Sequence, residues 1–361
     1  MRDGARGRAF LDGPSRLQGI DLARALAVLG MFAAHLIALP QPELREPLTW
    51  IGLAGGRSSI LFATLAGASL ALITGGPAPI TGPARATARL RILVRAALLW
   101  ILGIALILTG VPVYVILPAY ALLFALALPL LGLRARTLWV LTGVGALILP
   151  WLQPVWNALP LWQGTSGGDL ALLLGWHYPF TLWIVFLIAG LAIGRSPLRA
   201  LRTQVWLLIG GMLAVGLSVT GGALVPVDED DTYFGLVWTA VEHSGGLLEV
   251  IGSGGAAVAT IGACLLLCRT PISVALLPLR AVGAMPLTAY VGQLVAWAAA
   301  AALLLGDVGD LAGFRALAPF WPFVTVTVVV CTTWALLVGR GPLEQLVAAC
   351  ARRLVRAPRI G

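Results

Sequence analysis

The sequence contains no lysine, only three histidines and four cysteines, and just 11% of its 361 residues are charged. Each shortage excludes something. Soluble domains are about 25% charged. A chain with 59% hydrophobic residues and 11% charge is therefore expected in a bilayer. Cys264, Cys268, Cys331 and Cys350 lack C-x-x-C or any other metal spacing, so they read as small apolar residues rather than disulfides or metal ligands. No phosphate-binding loop, dinucleotide fingerprint, zinc motif or nucleophile elbow occurs. Strict alternation of apolar and polar residues is also missing, which excludes a membrane β-barrel.

What the chain does have is apolar runs of the length that crosses a bilayer. Ten stand out: 19–39, 58–76, 92–110, 113–132, 137–153, 179–195, 204–222, 250–268, 281–305 and 318–338. The expected fold is all-α, a polytopic membrane helix bundle of about ten spans forming one transmembrane domain over 1–361. The first run is too long for a signal peptide, contains ionisable residues and is followed by no cleavage site, so it reads as an uncleaved helix.

Charge orients the spans. Arg2, Arg6, Arg8 and Arg16 precede the first, and Arg85, Arg89, Arg91 and Arg95 lie around the second connection. Arg134 and Arg136, then Arg195, Arg199 and Arg202, then Arg269 and Arg280 mark further alternate connections. Arg340, Arg352, Arg353, Arg356 and Arg359 close the chain. The opposite connections carry Glu43, Glu46, Asp169, Asp228, Glu229, Asp230, Asp231, Asp307 and Asp310, with Arg45, Arg57 and Arg315 as exceptions. The positive-inside rule then puts both termini in the cytoplasm, with a short arm over 1–18 and a basic tail over 340–361. It also accounts for the net charge of +9 without nucleic acid. The two longest connections, 154–178 and 223–249, are both predicted to be external loops.

The first run, RLQGIDLARALAVLGMFAAHLIAL, carries Asp21, Arg24 and His35. Asp or Arg near a bilayer centre costs roughly 2.5–3.5 kcal/mol on insertion scales, so such residues face protein or water and serve a purpose. Asp21 and Arg24 are neighbours at i,i+3. His35 lies on nearly the same face, about 16 Å further along by helix rise. The stripe reads either as a structural ion pair with a polar cap or as a site for an anionic ligand. Gly19 and Gly30 on this run let other helices approach closely.

All three histidines, His35, His177 and His243, fall on the predicted external side, and imidazole is the side chain suited to proton transfer near neutral pH. Each also reads as an interfacial polar cap. Tyr178 adjoins His177, and Glu249 follows His243 by six residues, which allows a carboxylate–histidine relation. Gly55-Gly56-Arg57-Ser58-Ser59 opens the second run with backbone N–H groups and a cation, suited to an anion or a developing oxyanion.

The first run resembles the opening of bacterial YeiB-like proteins and of heparan-α-glucosaminide N-acetyltransferase. The second (GRSSILFATLAGASLAL), GWHYPFTLWI near 175, EHSGG near 242, AVGAMPLTAY near 281 and RGPLE at 340–344 resemble the actinobacterial branch of that group. The resemblance implies a multi-pass acyltransferase of the cell (plasma) membrane that takes acetyl or another acyl group from cytosolic acyl-CoA, with no metal. Its acceptor would be an extracytoplasmic glycan or lipid hydroxyl or amine. Arg24, with Asp21, would line the CoA path, and His35 or His243 would act as base with Arg57 stabilising the oxyanion. Ser58, His177, Tyr178 and Glu249 would line the acceptor site. In the human-type enzymes the histidine follows the first helix beside Trp-Asn-Gly, whereas PQPELREPLTWIGLAGG here has none, so the role shifts to His35 or His243 or is absent. The implied partners are the acyl donor, the acceptor and the bilayer, with a homodimer left open and nucleic acid excluded. A transporter of a small organic molecule or lipid is the alternative reading, and a non-catalytic scaffold is a third.

Overall fold

The computed structural model describes residues 10–14, 16–41, 45–225 and 232–355. Arg2, Arg6, Arg8, Glu43, Asp228, Glu229, Asp230, Asp231, Arg356 and Arg359 lie outside them. Among the described residues the regular structure is helical, with no strand. In chain order the helices are α1 (Gln18–Leu36), α2 (Arg57–Ile73), α3 (Gly82–Ile107), α4 (Leu117–Ala127), α5 (Ala135–Asn157), α6 (Gly164–Leu174), α7 (Phe180–Arg195) and α8 (Leu201–Leu224). There follow α9 (Tyr233–Val237), α10 (Leu247–Leu267), α11 (Ile272–Ala275), α12 (Leu277–Ala284), α13 (Pro286–Leu304), α14 (Leu311–Ala316), α15 (Phe320–Leu337) and α16 (Pro342–Leu354).

Every predicted run contains a helix. Among the described residues seven helices, α1, α3, α5, α8, α10, α13 and α15, are long and apolar enough to cross a membrane. A 3-10 segment, Pro47–Ala54, joined to α2 at a 51° bend, makes an eighth candidate. The predicted fourth and sixth runs form shorter apolar helices, Leu117–Gly132 and Phe180–Arg195.

Three expectations need correcting. The run 281–305 is broken at Met285, because Pro286 starts α13 at a position where no amide N–H is available to continue α12. There the Glu344 carboxylate accepts the Leu287 N–H at 2.8 Å and the Thr288 N–H at 3.1 Å, capping the new helix. The run ending at 153 continues as α5 to Asn157 despite Pro150 and Pro154. Both long connections contain helices, α6 in one and α9 in the other.

The chain divides into two compact units. The first comprises residues 1–62, 105–113 and 263–349. Here α1 is clasped through glycines: a Cβ on Gly19 would lie 2.5 Å from the Leu265 backbone, and one on Gly30 would lie 2.1 Å from Ser58 Oγ. From α12, a Cβ on Gly283 would meet the Asp21 carbonyl at 1.7 Å. Arg280, read from sequence as a connecting-loop charge, is buried and donates to Ser273 O and Leu11 O, both at 2.9 Å, and to Asp12.

The second unit comprises 63–104, 114–262 and 350–361. Here α2 and α7 meet backbone to backbone: a Cβ on Gly190 would sit 1.8 Å from Thr64 O, and one on Gly67 would sit 2.0 Å from Leu187 O. Helices α8 and α10 pack similarly, with Gly211 against Ala259 N and Gly262 against Leu208 N. Such small-residue seams are how membrane helices associate without a hydrophobic driving force. Arg195 is also buried rather than a loop charge. It donates to Ala71 O, Thr74 O, Gly76 O, Thr74 Oγ1 and Leu131 O at 2.6–3.1 Å, gathering the carbonyls left open where α2 ends.

Candidate functional site

The predicted residues separate into two groups, each within one unit. In the first unit Asp21 is buried and binds two guanidinia, Arg16 Nε at 2.7 Å and Arg24 Nη1 at 3.0 Å. The expected Asp21–Arg24 pair therefore exists as a triad. His35 Nδ1 lies 3.3 Å from Gln293 Nε2 and 3.4 Å from Gln293 Oε1, with Tyr290 and Trp297 each 6.4 Å away between ring centroids. Arg315, in sequence only an exceptional basic residue on the external side, donates to the His35 and Ala34 carbonyls, both at 3.1 Å, and caps the end of α1. Arg57 opens α2, and Ser58 is buried where Gly30 makes room for it.

The second unit holds His177, Tyr178, His243 and Glu249 in one cluster. Gly175, at φ 65°, ends α6 with a left-handed cap and leaves no side chain where the turn meets Ala119. The chain then presents His177 and Tyr178 before Pro179 caps α7. His177 stacks on Tyr114 with centroids 3.7 Å apart and planes 11° apart. Its ring is 5.0 Å from that of His243. His243 lies 5.7 Å from Tyr178 and parallel to Trp183 within 3° at 6.5 Å.

The backbone at His243 is unusual. Its φ is 61°, in the left-handed region that non-glycine residues rarely occupy. Glu249 fixes it there: the carboxylate accepts the His243 N–H at 2.7 Å, the Gly245 N–H at 2.7 Å and the Ser244 hydroxyl at 3.3 Å. The anticipated carboxylate–histidine relation thus runs through the main chain, not the ring, and Glu249 is a positioning residue. Beneath the turn, Thr181 donates to buried Gln153 at 2.8 Å, and Gln153 donates to Asn157 at 2.8 Å. Gln153 was legible only as an isolated amide in an apolar run.

Both histidines keep exposed surface, but their stacked faces lose water. That desolvation pushes His177 down to about 4, with the neighbouring His243 adding to the effect, and lowers His243 below its ordinary value. At neutral pH two uncharged imidazoles face each other, each with a lone pair able to accept a proton.

A groove of about 700 Å³ lies in the same unit among α5, α7, α8 and α10. Phe186 lines it and packs edge-on against Trp183 at 5.6 Å, so one wall reaches the ring beside His243. Among the described residues no group of three His, Cys, Asp or Glu side chains could hold a metal ion.

Residues 194–353 are similar to DUF418, a family described as a protein of unknown function and corresponding to the YeiB-like proteins. No curated protein and no solved structure matches the chain.

Proposed function

We propose that the chain is a membrane-embedded acyltransferase, moving acetyl or another acyl group from cytosolic acyl-CoA to a hydroxyl or amine on an extracytoplasmic glycan or lipid. In this reading it crosses the plasma membrane about ten times with both termini in the cytoplasm. The observation that carries the reading is the pair of neutral imidazoles 5.0 Å apart, one of them fixed by a carboxylate-held turn.

His243 is assigned as the base rather than His35, whose Nδ1 is engaged by Gln293. The imidazole takes the acceptor O–H or N–H proton as the acceptor's lone pair attacks the thioester carbonyl. The C–S bond then breaks, and the imidazolium returns the proton to the departing thiolate as CoASH. His177 and Tyr178 border the acceptor. Within the first unit, the Arg16 and Arg24 guanidinia around Asp21 suit an anionic ligand of the CoA kind, and Arg57 with the backbone amides opening α2 suits an anion there.

The test is purified protein in liposomes with labelled acetyl-CoA and candidate acceptors. Label transfer with CoASH release is expected, reduced about 10²–10⁴-fold in His243→Ala, the range for loss of a general base. If CoA neither binds nor turns over with any acceptor, the reading fails. Uptake of a solute without acyl-CoA would favour transport.

A further inference from the structure

We propose that the groove among α5, α7, α8 and α10 is a binding site for one anionic phospholipid, with an acyl chain along the groove and the headgroup phosphate on Arg202. This goes beyond acyl transfer and does not depend on it.

The volume of about 700 Å³ lies within the range of roughly 300–1,000 Å³ found for ligand pockets. Its polarity is graded. Val185, Phe186 and Ile251 form an apolar end, while Ser196, Arg202 and Thr203 gather where α7 gives way to α8. Ten residues separate Phe186 from Ser196, about 15 Å of helix, which suits an extended hydrocarbon chain. Among the described residues that line the groove none is Asp or Glu. Among the described residues, Arg202 is exposed and has no hydrogen-bond or ion-pair partner. An unpaired guanidinium at the mouth of an apolar channel matches a phosphate, which it can grip with two parallel hydrogen bonds.

Two further features favour a lipid. Trp139 and Trp206 line the groove, and indoles favour the headgroup level. The α8 face beside it exposes Met212, Leu213 and Leu217 on a helix apolar enough to cross a membrane, so access is sideways from the bilayer. The space itself is left open: a Cβ on Gly210 would meet no atom within 4 Å, although Gly210 lines the groove.

The full chain, purified in detergent and stripped of lipid, would be titrated with phosphatidylglycerol and phosphatidylethanolamine of matched chains, and bound lipid counted by native mass spectrometry. One phosphatidylglycerol should be retained with at least fivefold preference over phosphatidylethanolamine. Arg202→Gln should abolish that preference. Gly210→Leu should cut retention of both lipids at least fivefold, because the new side chain fills the channel without meeting a wall. Equal retention of the two lipids by the wild type, a preference that survives R202Q, or wild-type retention in G210L would each overturn the assignment. Arg202 is exposed, so R202Q decides the matter even if G210L does not fold.

Discussion

Glu249→Gln separates the charge of this side chain from its shape. In the native turn the carboxylate accepts two backbone N–H groups at 2.7 Å. Hydrogen bonds to a charged group are worth about 1.5–3 kcal/mol each, so the pair supplies about 3–6 kcal/mol. Holding a non-glycine residue in a sparsely populated backbone region costs about 1–3 kcal/mol. The native turn therefore has a surplus. In the glutamine variant one oxygen remains as a neutral acceptor, worth about 1 kcal/mol, and an NH₂ donor faces a backbone donor. The balance reverses, and His243 should leave the left-handed region and its place beside Trp183. With three histidines in the chain, selective ¹³C labelling of histidine in nanodiscs gives three ring resonances. The His243 signal should move in E249Q while that of His35 stays in place. Acyl transfer should fall with it, and Glu249→Ala should resemble E249Q. A His243 resonance unchanged in E249Q would refute the idea that this carboxylate sets the ring's position.

Glycine tolerates φ 61° and alanine does not. Both His243→Gly and His243→Ala should lose transfer, but the glycine variant should melt about 1–2 °C higher by thermal-shift assay, from a difference of roughly 1 kcal/mol. Because desolvation lowers the His243 pKa, its imidazole gains a proton only below the ordinary value of about 6.5. The pH–rate profile should therefore stay flat from neutral pH down to about 6.5 and fall on further acidification, and an acid limb centred above 6.5 would contradict the assignment. Arg195→Lys offers at most three donors to the five acceptors now held. It should lower stability by about 2–3 kcal/mol, read as an earlier unfolding midpoint, with R195A worse. Gly190→Ala should abolish folded yield on size-exclusion chromatography, since its methyl would overlap Thr64 O.

The helices were largely legible because apolar run length is a one-dimensional signal, and each predicted run holds one. Where sequence reasoning erred, local chemistry overrode hydropathy. Pro286 splits an apolar stretch that averages as a single span, and Pro150 and Pro154 fail to end α5. The Asp21–Arg24 contact was readable because three residues on a helix fix a distance. The meeting of His177 with His243 was not, since 65 residues and several turns intervene. Nor could hydropathy distinguish Arg195 and Arg280, buried as backbone clamps, from Arg202, which is exposed. All three count alike as charges beside a span, and only the carbonyls arranged around the first two separate them.

The contact of α2 with α7 limits how any working cycle can proceed. Where Gly190 faces Thr64 O and Gly67 faces Leu187 O, no side-chain layer separates the two main chains. Motion between packed helices ordinarily proceeds by rotamer changes that let ridges slip past one another, and a seam without rotamers has no such gear. The two helices are thus expected to travel as a single strut. Opening and closing around the groove would then fall to the other side, to α5 and α8, whose linings carry the tryptophans and Arg202.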